Sequence, residues 1–290
     1  MHFRRLMTSA AIGAALAAMP VYAQDGVDEE PVYEEIAADT ANWREVPAEN
    51  LFIFTTTKGR VLIEAMPEIA PNHVERFRTL IQSGLYDGTS FHRVIDGFMA
   101  QGGDIEQKTG ETLELPLLKA EFTFNRNPME FQVNVLGEDP NSRNGYYKGV
   151  PIRTQSAYLA ELTEDGMIES WIPHCPGVVS TARIGGQPDS AKAQFFLLRA
   201  TSEFLDRNYT AWGRMVEGLT VVRQLKEGEP VEDPDILLEA KVAADLPIDE
   251  RPQVWVRRTD GPEFRANVLN ETDIDEDVCN LPPVSTVVKN

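Results

Sequence analysis

Cysteine is nearly missing from this chain: Cys175 and Cys279 are the only two, and histidine is almost as scarce, with four. Two cysteines cannot staple a small disulfide scaffold, and no Cys/His group falls at zinc spacing. Cations are the second deficit. Lys and Arg number 27 against 46 Asp and Glu, a formal charge of −19. Nucleic acid and anionic membrane surfaces are therefore poor partners, because attraction to phosphate needs the opposite sign. The third absence is a long apolar run. The Ala-rich stretch from Leu6 to Met19 is shorter than the roughly 20 residues a bilayer-spanning helix requires.

That stretch has the layout of a secretory signal. His2, Arg4 and Arg5 precede it, Val21 and Ala23 close it, and no acidic residue comes before Asp25. Residues 1–23 are expected to be a signal peptide cleaved after Ala23, leaving a periplasmic or secreted protein with no membrane insertion. No cysteine follows the cleavage point to carry a lipid. In an oxidising compartment Cys175 and Cys279 either pair, tying the tail to the body, or stay as two inert thiols; two cysteines so far apart have no spacing signature.

What is present is mostly strand-like. Residues 24–50 are acidic and weakly periodic, which predicts a flexible arm on which Trp43 and Val46 are the residues able to dock. "LFIFTTTKGRVLIEA" (51–65) reads as a hairpin about Lys58-Gly59. "PNHVERFRTLIQSG" (71–84) places Val74, Phe77, Leu80 and Ile81 at helical spacing. Residues 113–124 read as extended, and about 125–172 as a polar, loop-rich insertion with a short helical candidate near "SAYLAELTEDG". Strand patterns return at 177–183, 194–199, 210–215 and 236–244, with an amphipathic helix at 219–227. An acidic tail (245–290) carries one strand-like piece, "QVWVRR". This predicts a mainly β fold, a closed antiparallel eight-stranded barrel capped by two α-helices.

"FHRVIDGFMAQGGD" (91–104) fits neither a buried nor a surface strand. Period-two alternation puts Phe91, Arg93 and Ile95 on one face. An unpaired arginine in a core is costly, so Arg93 is expected to line a groove, its stem on aromatic carbon and its fork free to donate. Bringing Phe98, Met99 and Gln101 to the same place needs a bulge or turn, which Gly97 and Gly102-Gly103 permit.

This stretch resembles the central motif of the cyclophilins, the peptidyl-prolyl cis/trans isomerases, with its F-H-R, F-M and Q-G-G elements. "GVVSTARIGGQPDSAKAQFFLL" and "EFLDRNYTAWGRMVEGLTVV" resemble two further family motifs in the family's order. The resemblance covers about 51–110 and 177–244 and implies an isomerase domain over 51–244. It implies that Arg93 is the catalytic cation and that Phe98, Met99, Phe196 and Leu205 form the proline pocket. Gln101 and Gln194 would bind the peptide and orient Arg93, with Ala182 and Arg183 along the neighbouring subsite. Neither cofactor nor metal is called for. Proline-containing peptides and newly exported proteins are the implied partners of a monomer. Phe204 stands where better-known members have Trp, which implies weaker cyclosporin binding; Tyr209 replaces a His, Thr181 a Met, Arg183 an Asn and Asp96 a Pro. Arg183 could favour acidic peptides or obstruct the groove, and Asp96 could draw on Arg93. The rival reading is a non-catalytic chaperone or scaffold using the same groove and the insertion.

Several other signals carry little. In "NETDIDEDVC", Val278 occupies the place where a calcium-binding loop of the EF-hand type needs Gly, which leaves a solvated charge run. His174 next to Cys175 suggests a dyad, but adjacent strand residues face opposite ways.

Overall fold

The computed structural model describes residues Tyr33–Asn290. The expected signal peptide and the first part of the arm lie outside the described residues.

One antiparallel sheet of nine strands organises the molecule. Its spatial order is Thr89–Ser90, Ile236–Val242, Leu51–Thr56, Gly59–Ala65, Ala211–Glu217, Val178–Thr181, Phe195–Leu198, Met99–Gly102 and Arg93–Ile95. The sheet curls into a half-barrel. Its two edge strands are consecutive in the chain, separated only by Phe91 and His92, and no ladder joins them. The architecture is thus mainly β as expected, but an open nine-stranded order takes the place of the closed eight-stranded barrel. The two edge strands follow one another along the chain through Phe91 and His92 and have other partners, Ile236–Val242 and Met99–Gly102, so no ladder forms between them.

The hairpin over 51–65 forms in the register that pairs Thr56 with Gly59. Phe52, Phe54, Val61 and Ile63 point into the concave side. There they meet Phe195, Trp212, and the helix Pro71–Gln82, which contributes Val74, Phe77, Leu80 and Ile81. The Phe77 and Trp212 rings stack at 4.5 Å. That helix starts with Pro at its first position and no side-chain cap of its own. Its free N–H groups at Asn72 and His73 instead donate to Glu121, both at 3.1 Å, satisfying donors that a helix start leaves open. The second helix, Leu219–Arg223, adds Val222 to the same core.

The residues next to Phe52 and Phe54 in the hairpin, Leu51, Ile53 and Leu62, point the other way into a second apolar core. Its cover comes from three separate parts of the chain. The insertion is a five-stranded antiparallel sheet ordered Phe124–Arg126, Ile168–Trp171, Val150–Thr154, Asn144–Tyr147, Asn134–Val135. A three-stranded sheet joins Trp43–Glu45 to Gln253–Arg257 and then to Thr286–Lys289. Tyr146, Ile152, Val254, Val256, Leu269 and Val284 pack from these pieces onto the hairpin's outer face. The loop-rich reading of the insertion is corrected here, since strands of two to five residues between Asn, Gly and Pro turns give too little period to read, while in the arm Trp43 and Val46 dock, one in a strand and the other in this core. The extended reading of 113–124 is corrected too, since apart from the bridge of Leu118 to Ala191 this stretch forms no strand before Phe124.

Cys175 and Cys279 form a disulfide, with their Cα atoms 5.0 Å apart at a sequence separation of 104. The bond ties the tail to the entry of the strand Val178–Thr181.

Candidate active site

Register builds the groove. Arg93 pairs with Gln101 and Ile95 with Met99, while Gln101 pairs in turn with Phe196 and Met99 with Leu198. Directly paired residues share a face. Two rows, Arg93–Gln101–Phe196 and Ile95–Met99–Leu198, therefore lie on the outside of the curled sheet. The intervening Val94, Ala100, Phe195 and Leu197 enter the concave core. Between Arg93–Ile95 and Met99–Gly102 the chain reverses at Asp96-Gly97, with Gly97 at φ +61°. The Phe98 amide bonds the Ile95 carbonyl at 3.2 Å, and the Phe98 ring is carried over the outer rows. A turn rather than a bulge gathers the three residues. At Gly103, φ is +76° and a Cβ would lie 2.8 Å from the Phe195 ring, so glycine alone fits there.

Phe91 does not share Arg93's face. It is buried in the concave core while Arg93 is partly exposed, because Phe91 and His92 belong to neither strand and alternation restarts at Arg93.

The outer rows carry an apolar cluster separate from both cores: Met99, Phe196, Leu198 and Leu205, flanked by Ile95, Phe98, Ala182 and Tyr209. The Tyr209 ring meets Phe196 edge-on at 5.7 Å. Phe204, 70% exposed, stands 5.4 Å from Phe98 at the rim. The Arg93 guanidinium lies 5.9 Å from the Phe98 ring centre, with Nη1 3.9 Å from the Met99 sulfur. All the proposed pocket residues thus come together.

The polar contacts differ from expectation. Gln101 donates to Gln194 at 2.7 Å, so the two glutamines hold each other rather than Arg93. The partner of Arg93 is Glu229, whose Oε1 is 2.5 Å from Nε. The loop bearing it is fixed by paired backbone bonds between Val94 and Gly228, both 2.9 Å, and by Val231 N to His92 O at 3.0 Å. Glu229 takes Nε, while Nη1 stands at the Met99 sulfur in the pocket. Asp96 is not a rival partner; its carboxylate is 3.6 Å from Arg199. Arg183 lies 4.4 Å over Tyr209 and 5.5 Å from Phe122. Its Nε and Nη1 are tied to the carbonyls of Asn208 and Ile184, which stacks it on the groove wall. Beyond the glutamines, a hollow of about 360 Å³ opens between Ala182, Arg183, Ile105 and Lys192.

His174 is paired with Asp206 rather than with a nucleophile. Its amide and Nδ1 reach Asp206 at 2.8 and 3.0 Å, its ring stacks on Phe196 at 6.2 Å, and Cys175 is in the disulfide. Asp206 also takes Arg153 Nη1 at 3.0 Å, and Arg153 reaches Glu203 and Asp277 at 2.8 Å each. The acidic run near the tail thus supplies a structural ion pair. Burial lowers the His92 pKa against opposing contributions from Asp104 and the Ser90 backbone, which keeps a neutral imidazole beside Arg93 at neutral pH. Among the described residues no group of three His, Cys, Asp or Glu side chains is placed to hold a metal ion.

This is a shallow apolar pocket with a forked cation at its edge and hydrogen-bonding side chains beside it. The family model of the cyclophilin-type peptidyl-prolyl cis-trans isomerases matches residues 51–244, and the chain belongs to that family. A probable peptidyl-prolyl cis-trans isomerase of Brucella abortus is 30% identical over 202 residues, covering 68% of this chain and 84% of that one. A putative isomerase of the same kind from Staphylococcus aureus is 28% identical over 176 residues, 60% and 79% of the two chains. The crystal structure of cyclophilin AquaCyp293 from Hirschia baltica superposes with a TM-score of 0.84 at 50% identity, covering 89% of this chain and 98% of that one. The protein is an enzyme that interconverts cis and trans prolyl bonds.

Proposed function

We propose that Arg93 accelerates rotation about X-Pro bonds by stabilising the twisted amide while the proline ring sits on Met99, Phe196 and Leu205. The uncatalysed barrier is about 18–20 kcal/mol because the C–N bond has partial double-bond character. Rotation breaks that conjugation, pyramidalises the nitrogen and returns the lone pair to it, where a cationic donor can meet it. A group that binds the twisted state better than either planar one lowers the barrier without making a bond. The observation that carries this reading is the separate apolar cluster on the outside of the sheet with Arg93 Nη1 at its Met99 sulfur and Nε held by Glu229. Gln101 and Gln194, locked together, offer their remaining amide groups to the peptide backbone, and Ala182 and Arg183 border the next subsite. Phe204 and Tyr209 form the far rim.

The test is a protease-coupled assay on an Ala-Pro peptide. Arg93→Ala is expected to reduce kcat/KM about a hundredfold or more with an unchanged circular dichroism spectrum; near-wild-type rates would sink the assignment.

The substrates we infer are unfolded or newly exported proteins in the periplasm or outside the cell. The basic and apolar N-terminus and the Cys175–Cys279 bond support an oxidising destination. N-terminal sequencing of the protein recovered from a cell-envelope fraction tests it: a start at Gln24 is expected, and an intact Met1 in the cytosolic fraction would refute it.

A further inference from the structure

Among the described residues three arginines are buried: Arg126, Arg199 and Arg214. Arg199 has Glu227 at 2.8 Å and Arg214 has Glu64 at 3.3 Å. Arg126 has no acid. It ends the strand Phe124–Arg126 of the insertion sheet and is 4% exposed. Its Nε donates to Ser170 Oγ, Nη1 to the Phe131 carbonyl and Nη2 to Thr154 Oγ1, each at 3.0 Å. These are three bonds from a group with five N–H donors, all to neutral acceptors. Burial alone pulls its pKa down to about 10, with no acid pushing the other way.

The same residue lines a hollow of about 290 Å³ between the insertion and the tail, walled by Met129, Val133 and Leu269 together with the polar Gln132, Asn134 and Gln155. Two other charged residues line it, Glu138 and Arg265, and they pair with each other. Arg126 is therefore its one uncompensated charge among the described residues. A guanidinium kept out of water without a counter-ion is unfavourable, and its planar fork matches a carboxylate. The size suits a small ligand. The hollow shares no lining residue with the isomerase groove.

We propose that this hollow binds a carboxylate on a short apolar body, with Arg126 meeting the anion and Met129, Val133 and Leu269 enclosing the body. The carboxylate could belong to a small free acid or to a peptide C-terminus, and the probes separate the two. Calorimetry on the full chain would use isobutyrate, a short peptide ending in a free valine, the same peptide amidated, and inorganic phosphate, all at matched ionic strength. Saturable binding of isobutyrate or of the free-acid peptide, without binding of the amide, is expected. If only the peptide binds, the ligand is a chain terminus; if isobutyrate binds as well, it is a small acid.

Arg126→Met should abolish the binding. Met129→Glu changes a residue 82% exposed at the mouth and sets a like charge before the anion, so it should weaken affinity about tenfold or more while leaving the isomerase rate unchanged. If Arg126→Met fails to fold, Met129→Glu decides alone. The proposal is overturned if no probe binds wild type saturably, if the amide binds as well as the acid, if phosphate binds tighter than either carboxylate, or if Met129→Glu leaves affinity unaltered.

Discussion

Single carboxylates hold much of this molecule in place, and they were the least legible residues in the sequence. Arg93, Phe98, Met99 and Gln101 sit within one quoted stretch and could be assigned from it. Glu229 lies 136 residues from Arg93 in a loop with no period, and nothing marks it as the partner. Glu64 is another such residue. It is 2% exposed and accepts both Arg44, at 2.6 Å, and Arg214, at 3.3 Å. Removing it leaves buried guanidinium without an acid, so Glu64→Ala is expected to cost about 3–5 kcal/mol in urea denaturation; a loss under about 1 kcal/mol would show that the cluster is solvated. Glu121 gives a pH signature. Burial alone pushes its carboxyl up, but hydrogen bonds from His73 and Asn72 outweigh this and hold it below the ordinary glutamate range. Its stabilising contribution is thus full above about pH 4.3, the unfolded value, and is lost as pH falls through the lower folded value. Glu121→Gln should flatten the acid side of the stability curve, measured as Tm between pH 3 and 6; an unchanged slope would assign acid lability elsewhere.

At the level of elements, the regular pieces were readable wherever one period dominated. The helix at Pro71–Gln82 and the hairpin at Leu51–Ala65 stand where the patterns put them. The unbroken "LFIF" also signals a strand covered on both faces, which is what the two cores show. The segment 113–124 was misread because apolar residues serve two purposes there: Leu113 and Leu115 pack against the concave core, while Glu121 reaches the helix start. The pairing of Cys175 with Cys279 was undecidable, since contact between them follows from the tail's path. Closing a loop this long restricts the unfolded chain strongly. Replacing both cysteines with serine is expected to lower stability by about 2–5 kcal/mol in urea, with the isomerase rate unchanged because neither sulfur touches the pocket. A matching loss of rate would mean that the bond also positions His174 under Phe196.

Over the whole molecule, the family match stops at residues 51 and 244, but the packing does not. Leu51, Ile53, Leu62, Val178 and Val216 of the isomerase sheet share a core with insertion and tail. Deleting residues 126–170 should therefore strip an apolar face rather than remove an accessory loop. We expect such a variant to aggregate or to lose protease protection in the tail; a monomeric variant with wild-type Tm would show that the outer core contributes little. This unity was invisible in composition, because the three covering segments are polar on average and lie far apart in the chain.

The arrangement of that outer core also sets an order of events during synthesis. The hairpin that needs covering is made early, whereas Val254, Val256, Leu269 and Val284 leave the ribosome long after it. Through most of translation the growing polypeptide therefore carries a sticky, half-finished surface, the kind of transient exposure that invites aggregation. An enzyme of prolyl bonds thus carries, until its last stretch is made, an apolar face that only its own C-terminal residues can cover.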